Sequence, residues 1–290
     1  MKKLWMCILC LAAALILAGG IFSARAEESA RKEAYQEFLD GKLTVEVMPV
    51  TDGPVILEPG FYTYRELLDS LTKNYGEYGM ATSYTVRYAV FTPRDGQEGE
   101  ELLALLLDDA EYEEQSWIGY IVWQDDQLNM HYNATFGYRS FLEPYANGYI
   151  MSGGSDGAGA SISDCSLAAP DGTVSKVYDS AHLFSSWCDD AVYYMNLNDG
   201  SMDYDAMPHL TDQSNLEMVI ASFADGSVRF TATGYSKNKS VKKQEQSFVA
   251  ALEKMGAAEI SAEEMTQLMD VGLTDELRMP WTDLEVIPAR

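Results

Sequence analysis

Apolar residues at helical spacing predict a helix over residues 28–40, with Gly41 as its C-cap. The apolar face of this helix comprises Ala34, Tyr35, Phe38 and Leu39. Thr63 and Glu66 form a capping box, which predicts the start of a second helix because the two side chains satisfy free backbone N–H groups. We interpret the apolar stripes of both helices as core contacts.

Helices are also predicted near the end of the chain. Residues 243–255 carry an apolar stripe that stops before Gly256, and Ser261 with Glu264 forms another capping box. The last residues, 276–290, are interpreted as a C-terminal tail that is laid over the body of the protein or partly disordered.

Between these helical regions the pattern changes to short strands rich in β-branched and aromatic residues. The predicted strands cover residues 85–91, 102–108, 117–123, 127–133 and 148–151. Residues 124–126 predict a tight hairpin loop between two of them. Asp-Gly pairs beginning at Asp171, Asp199 and Asp225 supply the positive φ of a type I′ turn, and they predict further hairpins.

The order of these elements predicts an α+β fold, in which a mostly antiparallel sheet built from hairpins is bracketed by N-terminal and C-terminal helices. We expect a signal peptide at 1–26, a single α+β domain at 27–275 and the tail at 276–290. A subdivision of the domain near 150–165 is left open.

The N-terminus has the pattern of a secretory signal peptide. Lys2 and Lys3 precede an apolar run from Leu4 to Phe22, and the small residues that follow place the cleavage after Ala26. An uncleaved anchor is the alternative, because the run approaches the ~20 residues that span a bilayer. No second run of this length follows, so we expect a protein that is secreted or envelope-associated, with no transmembrane segment after cleavage.

The composition is strongly acidic, with 45 acidic and 20 basic residues and a net charge of −25. Cleavage would remove three basic and no acidic residues, which makes the net charge −28. Such a chain repels nucleic acid and anionic membranes, and we interpret the acidity as an aid to solubility. The 18 tyrosines and five tryptophans suit a carbohydrate- or peptide-binding face, although most fall in predicted strands and are expected in the core.

The cysteines support an exported protein. Cys7 and Cys10 leave with the signal peptide, and Cys165 and Cys188 remain as an even pair, which predicts a disulfide. The alternatives are two buried free thiols, or a reactive thiol that uses His182 as its base.

Ser155 lies in a G-x-S-x-G pattern with Gly153 and Gly157, which is the pattern of a nucleophile elbow. An elbow needs a helix directly after the serine, and the following residues have glycine and serine at short spacing and no apolar stripe. We therefore disfavour Ser155 as a nucleophile, name no catalytic residue, and interpret the stretch as a glycine-rich loop between strands.

A dense group of oxygen ligands is a candidate calcium site. It comprises Asn196, Asn198, Asp199, Asp203 and Asp205. The order of these residues is not that of a calcium-binding EF-hand loop, and a solvated hairpin turn is the alternative. No other cofactor is expected.

Three stretches resemble a group of uncharacterised secreted proteins of gut clostridia, mainly over the N-terminal half. They read AYQEFLDG at 34–41, FYTYRELL at 61–68 followed by VRYAV at 86–90, and GYI leading into GGS at 148–155. The resemblance implies secretion and a shared fold, and it carries no assigned activity. In that group the strand near residue 90 leads into a calcium-loop-like turn. Here the ligand positions hold Pro93, Asp95 and Gln97, so calcium binding is not carried over.

These observations together predict an exported, non-enzymatic recognition or envelope-associated protein that binds a protein or a glycan. One alternative is a secreted hydrolase using acidic residues, which would need a deep pocket holding two acids about 5–10 Å apart with raised pKa values. The other alternative is a calcium-stabilised structural module.

Overall fold

The computed structural model describes residues 27–49, 57–76, 83–94, 96, 100–109, 116–136, 140–155, 159–192 and 208–288. In this part of the chain strands hold 46% of the residues and helices 27%, and the strands form two seven-stranded sheets. The predicted α+β fold bracketed by helices is therefore wrong, and the protein is a β-rich sandwich. The sequence pattern missed several short strands, because four or five residues are too few to show an alternation.

The first sheet has the strand order β14-β3-β4-β5-β6-β1-β2. Its strands are β1 (Thr44–Val47), β2 (Gly60–Thr63), β3 (Ser83–Phe91), β4 (Leu102–Asp109), β5 (Ser116–Gln124), β6 (Gln127–Phe136) and β14 (Thr282–Pro288). Neighbouring strands are antiparallel except for β1 and β6, which are parallel.

The second sheet has the order β13-β12-β11-β10-β9-β8-β7, so its strands follow one another as in the chain. They are β7 (Ser140–Pro144), β8 (Tyr149–Ser155), β9 (Ala160–Ala168), β10 (Val174–Phe184), β11 (Glu217–Phe223), β12 (Val228–Thr233) and β13 (Ala258–Glu259). Only β12 and β13 pair in parallel.

Four α-helices are described: α1 (27–39), α2 (Tyr64–Gly76), α3 (Lys239–Lys254) and α4 (Ala262–Met269). Two 3₁₀ helices lie at Ser185–Asp190 and Asp275–Leu277. The predicted capping boxes of α2 and α4 are confirmed, since each cap residue and the glutamate three positions later exchange hydrogen bonds. Within the described ranges no helix is both long and apolar enough to cross a membrane.

Strand β4 is buried along its whole length, and its two faces belong to different cores. Leu103, Leu105 and Leu107 pack with the apolar stripes of α1 and α2. The alternate side chains, including Leu102 and Leu106, pack against the second sheet. The first sheet therefore lies between a helical layer and the second sheet.

The second sheet has an inner and an outer face. At the β7–β9 end the inner face packs on the first sheet through side chains such as Ile150. At the β10–β12 end it packs on α3, where Phe230 contacts the cluster around Phe248. The outer face is covered over part of its area by the segment 269–277.

The hairpin turns differ in detail from the prediction. Asp125 and Asp126 both have positive φ, as a two-residue type I′ loop requires. At the other two described turns only Gly172 and Gly226 have positive φ, and the Gly172 amide donates to the Ala169 carbonyl. These turns are therefore type I turns followed by a glycine in the left-handed conformation. The remaining Asp-Gly pair, at Asp199, lies outside the described residues.

The segment predicted as a tail, 276–290, contributes strand β14 at the edge of the first sheet. β14 pairs antiparallel with β3, and its Glu285 accepts hydrogen bonds from Tyr64 and Arg65 on α2. This pairing joins residues about two hundred positions apart, which no local pattern can indicate.

Candidate functional site

The outer face of the second sheet carries a row of polar side chains across three neighbouring strands, β8 to β10. Directly opposite residues in an antiparallel pair share a face of the sheet. His182 on β10 is opposite Val219 on β11 and Ser161 on β9, and Ser161 is opposite Ser155 on β8. Ser155 and Ser161 are exposed, and His182 is partly exposed, so the row is open to solvent.

The imidazole of His182 is held by two neighbours. Its Nε2 lies 2.9 Å from Oε1 of Glu217, and its ring centroid lies 4.3 Å from that of Phe184. Both side chains of the His182–Glu217 pair remain partly exposed. The pair therefore presents an oriented donor and acceptor at the surface.

Three aromatic rings surround this row, and each is more than two-fifths exposed. Phe141 is 43% exposed, Phe184 41% and Trp187 42%. A Cβ added to Gly153 would lie 2.8 Å from the Phe141 ring, and one added to Gly159 would overlap the Trp187 indole. Two glycines therefore let two rings lie against the backbone of the sheet.

We call this surface the aromatic–polar face and define it by seven residues. They are Phe141, Ser155, Ser161, His182, Phe184, Trp187 and Glu217. Register alone places them together, since they come from five strands and a 3₁₀ helix spread over 77 positions of the sequence. Sequence reasoning pointed to exposed aromatics in general, but it assigned most of them to the core.

A pocket of about 480 Å³ lies beside this face, between α4 and strands β11 and β12. Its apolar lining comes from Val219, Ala262, Met265 and Met269. Its polar lining comes from Thr231, Thr266 and Asp270. Because Val219 is the direct neighbour of His182, the pocket and the polar row form one continuous surface.

The first part of the G-x-S-x-G stretch, Gly153 to Ser155, lies in a strand, and its last two residues lie outside the described residues. Residues up to Ser155 belong to β8, and the chain returns as β9 from Ala160. Among the described residues the next element after the serine is strand β9 and not a helix, which does not fit a nucleophile elbow. For Gly153 to Ser155 the loop interpretation is wrong, because strand pairing accommodates Gly153, whose missing side chain makes room for Phe141.

The predicted disulfide is not formed, and Cys165 and Cys188 are free thiols in the structure. Cys165 lies opposite Tyr178 in an outer-face cluster, whereas Cys188 follows the far end of β10 and packs in the inner cluster with α3. Tyr178 and the end of β10 are about 20 Å apart along the strand, and a disulfide needs Cα atoms within about 7 Å. Burial raises the pKa of both thiols to about 12, which also argues against a reactive thiolate paired with His182.

The candidate calcium ligands from Asn196 to Asp205 lie outside the described residues. Within the part of the chain that the structure describes, no three His, Cys, Asp or Glu side chains come together as ligands for a metal ion.

One carboxylate pair was not singled out by the sequence. Asp164 on β9 and Asp179 on β10 are directly opposite on the inner face, and Lys176 forms an ion pair with Asp179. Burial, followed by the charge of Asp179 and a hydrogen bond with it, raises the pKa of Asp164 to about 6. With 45 acidic residues in the chain, no sequence signal could have picked out this pair.

We expect Asp164→Asn to stabilise the protein by about 1 to 2 kcal/mol at pH 7, allowing for screening at a partly exposed carboxyl, and to have little effect at pH 3. As the pH rises above 3.8, the Asp164 carboxyl loses its proton in the unfolded chain but keeps it in the folded protein. The wild type therefore loses stability until Asp164 also ionises in the folded protein, near pH 6. Asparagine does not titrate and avoids this loss.

Urea denaturation at pH 3, 5 and 7 tests this expectation. Asp212→Asn, at an exposed turn, is the control and should leave the midpoint unchanged at each pH. An Asp164→Asn effect of the same size at pH 3 and pH 7 would contradict the assigned titration.

The chain matches no protein-family model, no curated protein and no solved structure. The resemblance to secreted clostridial proteins therefore stays a prediction.

Proposed function

We propose that this protein is an exported recognition protein that binds a glycan on its aromatic–polar face. The observation that carries the proposal is the exposure of three aromatic rings around a row of hydroxyl, imidazole and carboxylate groups. Aromatic rings offer flat apolar surfaces to the C–H groups of sugars, and the polar side chains between them can hydrogen-bond sugar hydroxyls.

The spacing of the rings favours an extended ligand. Phe141 lies on β7 and Phe184 on β10, which are three strands apart in the sheet. Neighbouring strands are about 4.8 Å apart, so the two rings are separated by about 14 Å across the sheet. An oligosaccharide can span this distance, whereas a single sugar unit cannot.

The position of the face favours a glycan over a peptide. Peptides that add to a sheet do so at an edge strand, where backbone N–H and C=O groups are free. Strands β8 to β10 lie inside the sheet, and each is paired on both sides. A ligand on this face must therefore be held by side chains.

The charge of the protein favours an uncharged glycan. The net charge of −25 repels polyanions, and Glu217 adds a carboxylate at the centre of the face. Neutral polysaccharides avoid this repulsion, and they are the first ligands to test.

We expect Trp187→Ala and Phe184→Ala each to weaken the binding of a neutral oligosaccharide by about ten-fold or more, because each removes an exposed stacking surface. Calorimetric titration of the exported protein with cello-, xylo-, manno- and chito-oligosaccharides would measure this. Phe61→Ala is the matched control, since Phe61 is 63% exposed on β2 of the other sheet.

Thermal melts of all three variants would confirm that they fold. An equal loss of oligosaccharide affinity in Phe61→Ala, or no binding of the wild type to any of these oligosaccharides, would overturn the proposal. Binding of extended peptides instead would identify the ligand as a protein.

A secreted hydrolase using acidic residues is the second candidate, favoured by the raised pKa of Asp164 beside Asp179. The pair lies on the inner face, however, whereas the described pocket opens on the outer face. Release of reducing ends from the same oligosaccharides, lost in Asp179→Asn, would support this candidate.

A further inference from the structure

We propose that the pocket between α4 and strands β11 and β12 is a subsite for an N-acetylated amino sugar unit of the bound glycan. This inference rests on the proposed function and adds the class of sugar to it.

The pocket lies in line with the polar row. Val219 forms part of the pocket wall and is the cross-strand partner of His182, which is followed by Ser161 and Ser155 on the next two strands. An oligosaccharide lying along this row would therefore place one sugar unit in the pocket without leaving the sheet.

The lining suits an acetamido group. Met265, only 3% exposed, lines the pocket with Val219, and these side chains can accept the methyl group. The Thr266 hydroxyl donates to the Ala262 carbonyl at 2.9 Å, so its oxygen is oriented to accept from an amide N–H. The volume of about 480 Å³ exceeds that of an acetyl group and leaves room for the sugar ring that bears it.

The charge of the lining selects against acidic sugars. Asp270 is the one charged residue of the lining, and one of its oxygens already accepts from the Gly272 amide at 2.8 Å. A carboxylate can accept further hydrogen bonds, including one from an acetamido N–H. A sulfate or uronic acid carboxylate would be repelled instead.

The test compares chito-oligosaccharides, which carry acetamido groups, with cello-oligosaccharides of equal length, which carry hydroxyl groups at the same position. We expect the wild type to prefer the acetylated series by about ten-fold or more. Ala262→Trp should fill the pocket and weaken the binding of the acetylated series more than that of the cello-oligosaccharides, which reduces the ratio of the two affinities to near one. Gln267→Trp, at an exposed position of α4 outside the pocket lining, should keep the preference.

The outcomes separate the two proposals. Equal wild-type affinity for both series, or a preference that survives in Ala262→Trp, would overturn the acetamido subsite and leave glycan recognition standing. Absence of binding to both series would overturn both proposals. Because Ala262 is exposed at the start of α4, the tryptophan variant is expected to fold, and its melting temperature checks this.

Discussion

Glu245→Gln is expected to lower the free energy of unfolding by about 3 kcal/mol, because it disrupts a buried set of charge-assisted hydrogen bonds. Glu245 on α3 is fully buried. Its Oε1 accepts hydrogen bonds from the Ser214 hydroxyl at 2.8 Å and from the backbone N–H of Asn215 at 2.9 Å. Its Oε2 accepts from the Ser236 amide at 2.8 Å. One carboxylate thus ties α3 to the segments before β11 and after β12.

Glutamine has a similar size but replaces one acceptor oxygen by an NH₂ group. That group would face at least one backbone N–H, and the buried N–H would be left without an acceptor. An unsatisfied buried donor costs about 1 to 3 kcal/mol, and loss of the negative charge weakens the remaining bonds.

Urea denaturation would measure the change. Glu253→Gln is the matched control, since Glu253 is exposed on the same helix and its loss should change stability by less than about 0.5 kcal/mol. Equal midpoints for the two variants would show that the three hydrogen bonds do not stabilise the fold.

Gly153→Ala is expected to destabilise the protein by about 2 to 3 kcal/mol, because the added methyl group has no space. A Cβ at this position would overlap the carbonyl oxygen of Ile162, a backbone atom that is fixed by strand pairing. It would also lie 2.8 Å from the Phe141 ring and would push that ring away from the sheet. The substitution should therefore weaken glycan binding as well.

Thermal denaturation and oligosaccharide titration of Gly153→Ala would measure both effects. Ser155→Ala is the control for stability, since Ser155 is exposed two residues further along β8 and faces the same side. Its melting temperature should equal that of the wild type. A Gly153→Ala variant of unchanged stability would mean that Phe141 and β9 can adjust without cost.

These predictions link stability to the site, because the aromatic–polar face depends on the packing of the strands beneath it. Gly153 and Gly159 create the space in which Phe141 and Trp187 lie. Gly153, which belongs to the pattern that suggested a catalytic turn in the sequence, therefore has a packing role on the aromatic–polar face.

Local sequence patterns are enough to predict the elements that depend on neighbouring residues. The apolar stripe of α1, whose Phe38 is fully buried, follows from a period that the sequence displays directly. The capping boxes at Thr63 and Ser261 form because their partners are only three residues away. The strand predicted over residues 102–108 is likewise found, as β4.

The features that join distant parts of the chain depend on tertiary packing. β14 joins the first sheet through contacts such as Arg87 with Asp283, which are 196 positions apart. The aromatic–polar face and the Asp164–Asp179 pair exist because strand register places particular side chains opposite one another, and a shift of one residue would turn them to the other face. Periodicity determines which residues of a strand share a face, but it does not determine which strand lies beside it, and that choice is made by the packing of the whole sandwich.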